Sequence, residues 1–178
     1  MFKFRILKYG FEDFVNYVNN LHEYWNNLFE SFRFWCNWYK NKLICARYPW
    51  LFINSGVYPW LDNQYTEIWI DCMPAGWRKR FGWKMVRDID KYLRKHKIKD
   101  YHIDQVKEKW GELCWYDNGD KGLSNVVDKY VELSTRTCVV CGKEATHMSL
   151  GYICPYCEDC MKDILKRQPL RKFKKIFE

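Results

Sequence analysis

The 178-residue chain is 48% hydrophobic and 29% charged, enough apolar material to build a real core for one domain with a small appendage. Lys and Arg outnumber Asp and Glu by 30 to 22, a net +8 that favours anionic partners such as nucleic acid, nucleotides and acidic proteins. No window approaches the roughly 18 uninterrupted apolar residues of a membrane span, and the basic start Met1–Lys8 lacks the small-residue cleavage site of a signal peptide. A cytoplasmic protein without a membrane partner is expected.

Aromatics make up 19% of residues, so most rings are expected in the core and some on the surface, where they can stack on a ligand or partner. Nine cysteines is an odd number, and five fall within residues 138–160, which suits metal binding in a reducing compartment better than a disulfide framework.

In chain order, Phe11 to Lys42 contains neither Pro nor Gly and is predicted to be one helix or a helical pair. Phe14, Val18, Leu21, Trp25, Leu28 and Phe32 form an apolar stripe at helical spacing, the usual pattern of a core face. Residues 43–64 carry Pro49, Gly56 and Pro59 among Trp50, Phe52, Tyr58 and Trp60, and read as an irregular arm. Tyr65 to Asp71 alternates as a short strand would. Pro74 then opens a helix running to about His96, with Trp77, Phe81, Met85, Ile89 and Leu93 on one face.

Tyr101 to Lys109 and Leu113 to Tyr116 alternate around Trp110-Gly111, predicting a β-hairpin whose Gly111 supplies positive φ. Residues 117–122 are a loop by composition, and Leu123 to Thr135 a further helix. The fold class expected is α+β: aromatic-rich helices on a small antiparallel sheet, followed by a zinc-ribbon or treble-clef-like module. The division falls at about residue 136, with a body over 1–136, its helical aromatic segment over 1–45, and a zinc module with a basic tail over 137–178. Met161–Glu178 carries seven Lys or Arg against one Asp and one Glu, and Pro169 interrupts any helix there.

Cys138-Val-Val-Cys141-Gly142 has the spacing of a metal knuckle, since two intervening residues let both sulfurs reach one ion. Fifteen residues later comes Cys157-Glu-Asp-Cys160, within the spacing of a four-cysteine zinc site. Cys154 offers an alternative pair with Cys157, and His147 can replace one thiolate. Cys157 and Cys160 are preferred because a helix then starts at the ligands. One zinc per chain, held by Cys138, Cys141, Cys157 and Cys160, leaves no open position for water and so has a structural role.

Two stretches combine cations with rings. In residues 73–82, Arg78, Lys79 and Arg80 follow Trp77 in the opening turns of a helix, where unpaired N–H groups also favour an anion, and Trp77, Arg78 and Lys79 are the candidate ligand residues. In residues 105–119, period-two geometry puts Gln105, Lys107 and Lys109 on one face. A two-residue turn then sets Lys107 opposite Cys114 and Gln105 opposite Tyr116. With Trp110 at the turn, the cations suit phosphate and the rings suit a base. No Gly-rich phosphate loop, nucleophile elbow or His-Glu-x-x-His pattern is present, so nothing in the sequence supports an enzyme.

The motifs Met73-Pro-Ala-Gly-Trp-Arg-Lys79, Gln105-Val-Lys-Glu-Lys-Trp-Gly-Glu-Leu-Cys-Trp-Tyr-Asp-Asn-Gly119 and Cys138-Val-Val-Cys-Gly142, followed by Gly151-Tyr-Ile-Cys-Pro-Tyr-Cys-Glu-Asp-Cys160, resemble a family of uncharacterised proteins common in bacteriophages and prophages. The resemblance covers residues 43–160. It implies a viral origin, supplies no activity, and favours Cys157 and Cys160 as ligands because the family often lacks cysteine at the position of Cys154.

The function expected is therefore that of a non-enzymatic phage accessory protein binding an anionic, nucleotide-type ligand, such as a host-defence signal it would sequester in the host cytoplasm. The alternatives are a zinc-ribbon nucleic-acid binder and an inhibitor docking on a host protein. Homo-oligomerisation is left open.

Overall fold

The computed structural model of the chain describes residues 21, 23, 25, 26, 28, 29, 32, 36, 39–53 and 68–176. Phe14 and Val18 of the expected stripe, Gly56, Tyr58, Pro59 and Trp60 of the expected arm, and Tyr65–Glu67 of the expected strand lie outside them.

Two units are distinguished, Met1–Leu43 and Ile44–Glu178. In the first, the described residues are helical. Leu21, Trp25, Leu28 and Phe32 are exposed, and Trp25 lies against Phe29 with ring centroids 6.4 Å apart. The stripe is therefore not a core face at these positions, because helical spacing reports which residues share a face and not what covers it.

In the second unit, helix α1 (Trp83–His96) buries Met85, Val86, Ile89 and Leu93, whose spacing gathers them on one side. It is preceded by a single α-turn at Ala75–Trp77 and a π-helical segment at Arg78–Gly82. Pro74 stands just before the first turn as its cap. At the other end Arg94, Lys95 and His96 meet the negative end of the helix dipole. Lys97 stops the helix in the left-handed conformation, and its neighbour Ile98 donates back to Leu93 O over 3.0 Å.

The segment before this helix corrects an expectation. Ile68 makes only an isolated bridge to Phe52, and Trp69–Cys72 is a 3₁₀ turn, not a strand. Ile68, Trp69 and Ile70 are all buried, which a half-buried strand with alternating faces cannot achieve.

Strands β1 (Ile103–Lys109) and β2 (Glu112–Asp117) form the antiparallel hairpin, with Lys107 opposite Cys114 and Gln105 opposite Tyr116. Both turn residues have positive φ, 60° at Trp110 and 86° at Gly111, the geometry of a tight two-residue connection. One face, with Val106 and Leu113 buried, packs on the core.

Helix α2 (Lys121–Thr135) starts at Asp120, whose carboxylate accepts from Leu123 N–H over 2.9 Å. It buries Leu123, Val127, Tyr130 and Ser134. The Ser134 hydroxyl accepts from Leu113 N–H at 2.9 Å and donates to Val131 O at 2.6 Å, so a buried serine joins helix to hairpin without an unpaired polar atom.

The remaining chain forms a second antiparallel sheet in the order β4 (Pro155–Tyr156), β3 (His147–Ser149), β5 (Phe173–Lys175), with helix α3 (Glu158–Arg167) between β4 and β5. The residues on both sides of position 136 belong to the Ile44–Glu178 unit.

Candidate functional site

The C-terminal end of α2 leads through Thr137 into the loop that carries Cys138 and Cys141. Cys138 N–H donates to Lys143 O at 2.8 Å and Gly142 N–H to Cys138 O at 3.0 Å, folding the loop back on itself. Gly142 makes the reversal at a φ of 81°. Cys157 caps α3 and Cys160 lies in its first turn. The sulfurs of Cys138, Cys141, Cys157 and Cys160 all lie within 4.8 Å of one another, and those of Cys141 and Cys157 are 3.5 Å apart.

This donor set can hold a metal ion. A tetrahedral thiolate site with metal–sulfur bonds of about 2.3 Å has sulfur–sulfur edges of about 3.8 Å, which the cluster spans. Burial pushes the Cys157 and Cys160 thiols up, so a metal must displace protons to bind them. Cys154 and His147 are not part of the cluster. Cys154 is buried, pushed up to about 12 by burial and then by nearby Glu108, and His147 Nδ1 pairs with the Thr146 hydroxyl at 2.8 Å.

The cysteine loop docks on the start of the long helix. Gly76 N–H donates to Val139 O at 2.8 Å, and the Trp77 indole donates to Thr137 O at 2.8 Å. A Cβ on Gly76 would lie 2.1 Å from Cys138 O, so only glycine allows the two backbones to meet. These contacts correct the reading of residues 73–82 as an anion site. Trp77 is wholly buried and cannot stack on a ligand. The Gly76 N–H is committed to the loop, and Arg78 pairs with Asp71 at 2.7 Å. Lys79 stays exposed on the π-helical segment.

The hairpin residues fare differently. The Lys107 ammonium sits 5.4 Å from the Tyr116 ring centroid and donates to Gln105 Oε1, so a diagonal cross-strand neighbour and a same-strand neighbour on one face meet in space. Lys109 is exposed, and Trp110 is 73% exposed at the turn. The turn also meets the second sheet: a Cβ on Gly111 would lie 3.3 Å from both Met148 Sδ and Pro155 Cδ.

Glu108 is a residue that sequence reasoning did not single out. Its carboxylate accepts from Gly111 N–H at 2.7 Å and from the Tyr152 hydroxyl at 2.7 Å, which holds that phenol up at about 12. It thereby fixes Tyr152, 69% exposed, across a recess of about 330 Å³ from Trp110. Parity along β1 places Glu108 on the side of Val106, the one available signal.

No protein-family model, curated protein or solved structure matches the chain. Among the described residues no helix is long and apolar enough to cross a membrane.

Proposed function

We propose that the protein is a zinc-stabilised, non-enzymatic binding protein for an anionic ligand that carries bases, and that single-stranded nucleic acid is the class its hairpin surface suits. In this reading the four thiolates hold one structural zinc, the metal most at home in a closed tetrahedral thiolate shell. The resemblance to phage proteins would place the chain in the cytoplasm of an infected host.

The observation that carries the reading is Trp110. A tryptophan at a φ of 60°, with 73% of its surface in water, gains nothing from burial and occupies a backbone conformation that costs a bulky residue about 1 kcal/mol or more. Glycine or asparagine would serve the turn better. Strain of this kind persists where a site uses it.

The surroundings supply the remaining chemistry. Tyr152 stands across the recess, and Lys109, Lys107 and Tyr116 continue along the hairpin. Met148 and Lys174 are register partners and share a face, so Lys174 stands on the side that meets Gly111. Rings alternating with cations along an open surface match bases stacked between neutralised phosphates.

The test is the affinity of the full chain for a dye-labelled dT15 strand, read by fluorescence anisotropy across a salt series. Affinity should fall steeply with salt, and Trp110→Ser should weaken it about 10-fold, as loss of one stacked base does. Lys107→Ala with Lys109→Ala should flatten the salt slope by about two. Binding of dT15 that ignores all three residues would overturn the assignment.

A further inference from the structure

Of the two non-glycine residues with positive φ among those described, Trp110 is one and Lys97 is the other. Lys97 lines a cleft of about 920 Å³ whose described lining residues all belong to the Ile44–Glu178 unit. The end of α1, the turn from Lys97 to Asp104 and the segment from Arg47 to Phe52 enclose it.

Its floor is apolar and buried, with Leu93, Trp69 and Ile103. Its wall is aromatic: half-buried Trp50 meets Tyr101 edge to face, with centroids 5.4 Å apart at 72°. Among the described residues its rim is basic, with Arg47, Arg94, Lys97 and Lys99 set against the carboxylates Asp90 and Asp104. Asp90 is shared, accepting from Arg47 at 3.2 Å and Arg94 at 2.9 Å, and Asp104 faces His102 at 3.5 Å. Lys97 and Lys99 make no ion pair among the described residues.

Cations near a helix C-terminus complement its dipole, and that accounts for Arg94. It does not account for Lys97, where a glycine or asparagine would end the helix without strain, nor for Arg47 arriving from another segment. A cleft of this volume, apolar below and charged at its lip, has the build of a small-ligand site.

We propose that this cleft is a second binding site, separate from the hairpin surface, for a mononucleotide-sized ligand. The flat ring lies against Trp50 and Tyr101, and the phosphate is met by Lys97, Lys99 and the arginine pair. The site does not depend on the hairpin reading, since no residue is common to the two.

Isothermal titration of the full chain with AMP, with adenosine and with inorganic pyrophosphate as separate probes tests it. AMP should bind more tightly than either half alone, because ring and phosphate are held by different walls. Trp50→Leu should weaken AMP about 10-fold.

Lys97→Gly is the sharper variant. Glycine relieves the left-handed backbone, so the protein should melt no earlier than the parent, yet AMP affinity should drop about 3-fold with the loss of one phosphate partner. Trp110→Ser should leave AMP binding as it is, and Lys97→Gly should leave dT15 binding as it is. The proposal is overturned if AMP gives no heat at millimolar concentration, if Trp50→Leu and Lys97→Gly bind it like the parent, or if Trp110→Ser abolishes it.

Discussion

Gly76 and Trp110 show how the same kind of residue signal can have opposite origins. Both sit in motifs where a ring adjoins a basic residue, and both motifs suggest ligand binding from sequence alone. At residue 76 the structure gives a packing reason: the helix start and the cysteine loop share hydrogen bonds through the gap where a side chain would be. Gly76→Ala would drive a methyl to 2.1 Å from Cys138 O and 2.7 Å from Gly142 N, both backbone atoms that cannot swing aside. Destabilisation of about 3 kcal/mol or more is expected, measured as a lower urea midpoint, together with weaker retention of the metal. At residue 110 no packing reason exists, and the sign reverses. Trp110→Gly should raise the thermal midpoint by removing about 1 kcal/mol of backbone strain, while binding of dT15 weakens. A residue whose replacement improves the fold and impairs binding is one kept for binding.

Among the elements, the hairpin was the most legible, because strict alternation on both sides of a Trp-Gly pair leaves one register that buries Val106 with Leu113 and turns half-buried Lys107 and exposed Tyr116 to the other face. The 3₁₀ turn at Trp69–Cys72 was not legible, since three consecutive buried residues have no period. Nor was the π-helical segment at Arg78–Gly82, where Phe81 and Gly82 are buried and a Cβ on Gly82 would lie 3.1 Å from Ile70 Cδ1. The four clustered cysteines were legible because two Cys-x-x-Cys spacings mark them and the helix start chooses Cys157 and Cys160 over Cys154, whereas the cleft draws on Arg47, Trp50, Lys97 and Tyr101, which are distant in sequence and carry no motif. Helix α2 adds a prediction about pH. Leu123 N–H, and after it the Tyr92 hydroxyl at 2.8 Å, hold the Asp120 carboxyl below the usual carboxylate range. The folded state therefore takes up this proton less readily than the unfolded chain. The stability it contributes is present above a pH of about 4 and is lost as pH falls through the lower folded value. Asp120→Asn keeps an acceptor at the cap but removes the titration. Its urea midpoint should change less than the parent's between about pH 5 and pH 3; an unchanged pH dependence would assign the acid sensitivity elsewhere.

For the whole molecule, the decisive matter is whether residues 137–178 behave as an appendage. The composition shift near residue 136 suggests that they do. Several contacts cross that position: Gly76 and Trp77 bond to the cysteine loop, Glu108 bonds to Tyr152, and Gly111 lies against Met148 and Pro155. Two separate faces, the helix start and the hairpin turn, are thus held by the part of the chain that carries the four clustered cysteines. If the metal fixed only an appendage, chelation would leave the body's melting transition in place and remove a small second one. Because the contacts cross at both faces, chelation by EDTA should instead shift the transition of the entire Ile44–Glu178 unit. Far-ultraviolet circular dichroism and tryptophan emission should move together, since Trp77 is buried against the body while bonded to Thr137 beside the first ligand. If the four thiolates hold the proposed zinc, acid should act as a chelator does, because protons compete with the metal and affinity falls with pH. Gly76→Ala provides the control at this scale. With the docking contact broken, the two probes should separate into two transitions, and only the metal-dependent one should respond to EDTA.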